Sequence, residues 1–79
     1  MNRDELTSKI KLCISKVSDI PPEELNEESN LFDDLSLSSL EIIEILSFIE
    51  DEVGVEIPVD ETQKMASISD IVDYCEKEI

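Results

Sequence analysis

Leu6, Ile10, Cys13, Ile14 and Val17 recur at i, i+4, i+7, i+8 and i+11, with Ser8, Lys9, Lys11 and Lys16 filling polar positions between them. That period is the stripe of an amphipathic helix, and it predicts a first helix from Arg3 or Asp4 to about Ser18. Asp4 and Glu5 fall in its first turn, where the positive end of the helix dipole favours acids. Pro21 and Pro22 halt any continuation and push Ile20 toward extended backbone. The connection that follows, Asp19 to Leu37, is long for a compact domain. Ile20, Leu25, Leu31, Phe32, Leu35 and Leu37 are spread along it as pins to a core, and Pro22 to Leu25 suits one short helical turn.

Ser38-Ser39-Leu40-Glu41 has the form of a capping box, with Ser38 as N-cap and Glu41 three positions into the helix. Leu40, Ile43, Leu46, Ile49 and Val53 then follow a helical spacing, with Ile42, Ile45 and Phe48 beside them. A helix so apolar is expected at the centre of the fold, with Glu41, Glu44, Ser47, Asp51 and Glu52 on its wet side. Gly54, the one glycine in the chain, fits the left-handed position that ends a helix. Val55 to Pro58 reads as an extended connector burying Val55 and Ile57, because four residues with no partner strand cannot make a sheet. Asp60 to Met65 suits a short helix capped by Asp60. Ser67 and Asp70 repeat the capping-box pattern ahead of a last stripe, Ile68, Ile71, Val72, Cys75 and Ile79. The expected fold is all-α, a four-helix bundle with a short third helix and a long first loop, in a single domain over residues 1–79.

Composition narrows the function. Hydrophobic residues make up 41% of the chain, enough for one core, while the net charge is −15. No basic residue lies between Val17 and Gln63, a stretch holding 15 of the 21 acids. Such a field repels nucleic acid and anionic membranes and attracts basic protein surfaces. No run approaches the ~20 apolar residues of a membrane span, and the N-terminus has no apolar signal core, so a cytoplasmic monomer is expected. Cys13 and Cys75 fall at apolar helical positions and read as small buried hydrophobes rather than a disulfide or redox pair. The chain has no histidine, no calcium-loop spacing and no glycine-rich phosphate loop. Serine nucleophiles need a base at hand, and no lysine lies near the serine cluster in sequence. A catalyst is not expected, nor a metal site.

The serine cluster Ser36-Leu37-Ser38-Ser39-Leu40 remains. A residue just inside an N-cap sits where free backbone N–H groups point outward, a ready site for an anion. From capping alone, Ser39 need be no more than an ordinary first-turn residue. The run Leu31 to Glu41, however, resembles the modification site of the acyl carrier protein family, which reads F-x-x-L-G-x-D-S-L-[DE]. Val53 to Pro58 resembles the family's F-x-[IV]-x-[IV]-P, and Lys64-Met65 and Ile68 to Tyr74 resemble its third and fourth helices. The resemblance runs over nearly the whole chain without gaps.

It implies a non-enzymatic carrier of acyl or peptidyl groups, held as thioesters on a phosphopantetheine arm that a phosphopantetheinyl transferase takes from coenzyme A and attaches to Ser39. It further implies fatty acid, polyketide or related biosynthesis, with acyl-processing or synthase enzymes docking their basic surfaces on Asp33, Asp34, Glu41, Glu44, Asp51 and Glu52, and with apolar contact from Leu40 and Ile57. The bundle's apolar interior has two readings, shelter for a short acyl chain or core alone. Two positions depart from the family pattern: Ser38 stands where the family has Asp, and Ser36 where it has Gly. Ser38 still caps as well as Asp does, but a charge beside the attachment site is lost. An unmodified, acidic, carrier-like interaction module is the alternative.

Overall fold

Three α-helices carry the fold: α1 (Arg3–Ser18), α2 (Ser39–Val53) and α3 (Ile68–Glu78), in a computed structural model that describes residues 2–79. Two 3-10 helices lie in the connections, Pro22–Glu24 and Val59–Lys64. The second of these is the short third helix of the bundle. No strand forms among the described residues; the one β-bridge pairs Asn30 with Ser67.

Each helix starts and stops for local reasons. The Asn2 side chain accepts the Glu5 N–H at 2.8 Å to cap α1, and Asp19 ends it in left-handed backbone at φ 63°. The two capping boxes form as expected, with Ser38 and Glu41 bonded reciprocally at the start of α2 and Ser67 and Asp70 at the start of α3. Gly54 closes α2 at φ 81°, a conformation that costs other residues strain. The Val59–Lys64 helix departs from expectation: Pro58 precedes it, no side chain caps it, and Asp60 lies within its first turn. Pro58 supplies a fixed φ at the entry, and Thr62 holds the turn by donating to the Val59 carbonyl at 2.6 Å.

The core lies between the inner faces of the three helices. Leu6, Ile10, Cys13 and Ile14 of α1 meet Ile42, Ile45, Leu46 and Ile49 of α2 and Ile68, Ile71, Val72 and Cys75 of α3. Both cysteines are free and buried. The inner stripe of α2 differs from the expected one. Leu40 is 66% exposed and Ile43 45%, while Ile42 and Ile45 turn inward. α2 is apolar around more than half its circumference, so a 3–4 spacing can be phased in two ways, and packing against α1 selects one. Ile79 likewise lies outside, 61% exposed, one residue past the last turn of α3.

The long first loop is pinned by Leu25, Leu31 and Leu37, all buried, with Ile20 and Leu35 at the core edge. Phe32, expected among the pins, is instead exposed. Backbone bonds stitch the loop to the entry of α3: the Leu31 N–H donates to the Ala66 carbonyl at 2.7 Å, and the Ser69 N–H to the Glu27 carbonyl at 2.7 Å. Arg3 adds a clasp. Its guanidinium bonds Glu27 at 2.7 Å, Asp73 at 2.8 Å and also Glu76, tying α1, the loop and α3 together. At the other end of α1, Lys16 lies 3.7 Å from Glu52 and 5.4 Å from the centre of the Phe48 ring, both on α2.

Candidate functional site

The chain enters α2 through a tight bend. Ser36 takes left-handed backbone at φ 53°. Leu37 then drops into the core with its N–H on the Leu31 carbonyl at 3.0 Å. This fixes Ser38 as the cap: its hydroxyl accepts the Glu41 N–H at 3.2 Å, and its own N–H donates to Glu41 Oε1 at 3.0 Å. Ser39 is therefore the first helical residue. It is exposed, and its hydroxyl makes no hydrogen bond among the described residues. The N–H groups of Ser39 and Leu40 also find no acceptor there, while that of Glu41 is capped. Two free N–H groups at the positive end of α2, beside an uncommitted hydroxyl, suit a phosphate ester.

Beside Ser39 lies a recess of about 180 Å³ between α2 and the Val59–Lys64 helix. Ser39, Ile42 and Ile43 form one wall, Val59, Thr62 and Gln63 the other, and Phe32 of the loop closes an end. None of these residues is charged, in a chain of net charge −15.

The expected docking acids divide by what they touch. Asp33, Glu44 and Asp51 are exposed without a side-chain partner among the described residues, as is the unforeseen Glu50. Asp34 accepts the Asn30 N–H at 2.7 Å, Glu41 serves the capping box, and Glu52 faces Lys16. Leu40 is the most exposed large apolar side chain beside Ser39. Ile57 is a correction: at 4% exposure it belongs to the core, and the connector that buries it leaves it no surface for a partner. The hydrophobic pattern places Phe32 and Ile43 inward and so does not show the recess, and nothing in it marks Val59, Thr62 and Gln63, which come alongside α2 only through the fold.

The two thiols lie in the core, away from this rim. Burial pushes the Cys13 thiol up, and burial together with nearby Cys13 pushes Cys75 up to about 11. Among the described residues no cluster of three His, Cys, Asp or Glu is set to hold a metal ion.

A family model described as the phosphopantetheine attachment site matches residues 8–75. The chain belongs to the acyl carrier protein family. It is 30% identical to the acyl carrier protein of Thermosynechococcus vestitus, over 100% of this chain and 98% of that one. It is 33% identical to the acyl carrier protein of Thermotoga maritima, over 99% and 96% of the two chains. A solved structure of the acyl carrier protein from Enterococcus faecalis superposes with a TM-score of 0.77 at 31% identity, covering 98% of each chain. The four-helix arrangement and the long first loop are thus those of an acyl carrier protein, and phosphopantetheine is the covalent group the family model describes. The exposed Ser39, with two free N–H groups beside it and an uncharged recess at its side, fits such a group. Among the described residues no helix is long and apolar enough to cross a membrane.

Proposed function

We propose that Ser39 is the residue that carries phosphopantetheine, and that the protein is a carrier and not a catalyst, holding acyl or peptidyl intermediates as thioesters on that arm. One observation carries the assignment among the three clustered serines. Ser38 has its hydroxyl committed to the cap, and Ser36, though exposed, sits in a left-handed bend ahead of the helix; of the three, Ser39 has its uncommitted hydroxyl at the first position of α2, beside the two consecutive free N–H groups of Ser39 and Leu40. When bound, the arm supplies the thiol that holds cargo. The chain's own part is to present Ser39 and to place two N–H dipoles where the phosphate charge settles. A base for the transfer comes from the phosphopantetheinyl transferase, since the chain has no histidine and no lysine lines the recess.

The exposed acids Asp33, Glu44, Asp51 and Glu52, with Asp34 and Glu41 beside them, form a field for acyl-processing or synthase enzymes with basic surfaces, and Leu40 adds apolar contact near the arm. Fatty acid, polyketide and related cytoplasmic biosynthesis all suit such a carrier, acting as a monomeric single domain. The test is intact mass after incubation with coenzyme A and a phosphopantetheinyl transferase. The wild type gains one arm, Ser39→Ala gains none, and Ser36→Ala and Ser38→Ala still gain it. An arm on Ser39→Ala sinks the assignment. A wild type left unmodified by several transferases supports the interaction module that Ser38, in place of the family's Asp, raises as the alternative.

A further inference from the structure

We infer that the outer face of α1 is a second interaction surface, fitted to a narrow acidic segment of a partner protein that carries an apolar side chain. The inference does not depend on Ser39. The inner stripe of α1 packs against α2 and α3, so its outer face looks away from both.

Charge along this helix is the reverse of the rest of the chain. Leu6 to Ser18 holds Lys9, Lys11 and Lys16 and no acid, in a sequence with 21 acids and 6 bases. Helical periodicity sets Ser8, Leu12 and Ser15 opposite the buried Ile10, Cys13 and Ile14, with Lys9 on one flank of Leu12 and Lys11 on the other. Leu12 is 51% exposed. Lys16 is taken up by Glu52 and the Phe48 ring, but Lys9 and Lys11 reach no carboxylate among the described residues. The leucine adds nothing to the core, and these two lysines bond nothing within the chain.

Screening lets this local sign prevail. At about 0.15 M salt the Debye length is about 8 Å, well under the 20 Å of the molecule's shortest dimension, so the acids of the far side barely reach the outer face of α1. The limits of the patch then choose its occupant. Asp4 and Glu5 bound it at one end and Asp19 at the other, all three exposed. Glu5 and Asp19 stand about 20 Å apart along the axis. A membrane would lay a wide anionic surface over those acids as well and be repelled. A second copy of this chain brings its own net charge of −15. One acidic helix or extended segment fits between the flanking acids, with carboxylates on Lys9 and Lys11 and its apolar side chain on Leu12. Opposite charges around an apolar contact fix register and orientation.

The test titrates the full chain, isotope-labelled for NMR, with a blocked peptide of Glu and Asp around one central Leu at about 0.15 M salt. Saturable amide shifts are expected in α1 from Ser8 to Lys16, the same with or without an arm on Ser39. The association constant is expected to fall roughly three- to tenfold in Lys9→Gln/Lys11→Gln, the scale of two exposed pairs. It should also fall in Leu12→Ser, and when serine replaces the leucine of the peptide. Helical circular dichroism of both variants stays that of the wild type, as for surface substitutions, which separates lost binding from lost fold. Shifts absent from α1, or binding equal in the wild type and the lysine variant, overturn the inference. It is overturned too if α1 shifts on phosphatidylglycerol vesicles and not on the peptide, or on raising the protein concentration alone; those results would give the face to a lipid surface or to a second copy.

Discussion

Ser36, Ser38 and Ser39 carry the same hydroxyl in three different surroundings, and the surroundings assign their parts. Ser38 loses its freedom to the Glu41 N–H, and Ser39 keeps its own because the helix begins beneath it. Ser36 has the opposite problem: it holds left-handed backbone at φ 53° where its family has glycine. A side chain there costs roughly 1–2 kcal/mol, and the glycine that would remove the strain loses about 0.5–1 kcal/mol more entropy on folding. The balance favours glycine. Ser36→Gly is expected to stabilise the protein by roughly 0.5–1 kcal/mol, seen as a higher denaturant midpoint at unchanged slope. An unchanged or lower midpoint would show that the Ser36 side chain makes up its strain through contacts of its own.

At the scale of elements, the caps hold the pieces that meet at the site. Asp70 anchors the start of α3 by accepting the Ala66 N–H at 2.8 Å and the Ser67 N–H at 3.1 Å. These bonds, Ala66 first, hold its carboxyl below its ordinary value. A group whose folded pKa is depressed adds stability above its unfolded pKa, and that contribution is lost as pH falls through the folded value. Asp70→Ala is therefore expected to cost about 1 kcal/mol at neutral pH, the usual scale of a lost cap. The gap between variant and wild type should close as pH drops below about 3.9, the ordinary aspartate value. Denaturant titrations at neutral and acid pH measure it; a gap that persists in acid would place the effect in packing and not in the carboxylate. The same cap reaches toward the loop, since the Leu31 N–H bonds the carbonyl of the same Ala66.

Over the whole molecule, charge sets the conditions of stability. The protein measures 28 × 27 × 20 Å and carries a net charge of −15. At about 0.01 M salt the Debye length is about 30 Å, so every carboxylate feels the others; at about 1 M it is about 3 Å. Folding brings cations to three acids of the stretch that has none in sequence: Arg3 to Glu27, Lys16 to Glu52 and Lys64 to Glu61. Pairs this exposed are screened by solvent and too weak to offset the rest. Melting temperature is expected to rise between low and high sodium chloride by about 4–8 °C, the equivalent of 1 kcal/mol in a domain of this size, and to rise at lower concentrations of magnesium. Arg3→Gln should show the reverse dependence in its deficit, a lower melting point than wild type at low salt that narrows as salt screens the clasp. A wild-type melting point that is flat or falling with salt would show that the acids are not crowded.

Features that depend on neighbours along the chain are legible without the fold. Both capping boxes, the glycine stop of α2, the inner stripes of α1 and α3 and the burial of Val55 and Ile57 follow from spacings of two to four residues, and the serine cluster is legible as the start of a helix. The family was legible for the same reason, because its motif is local. Tertiary structure alone decided what depends on which elements meet. The apolar content of α2 permits two phases, and only packing against α1 turns Ile42 and Ile45 inward and leaves Leu40 and Ile43 out. Phe32, spaced like the other pins of the loop, is left exposed. The recess needs the loop, α2 and the Val59–Lys64 helix side by side, and the Arg3 clasp joins residues as far as 73 positions apart. Periodicity records that a residue is apolar; it does not record which surface will come to cover it.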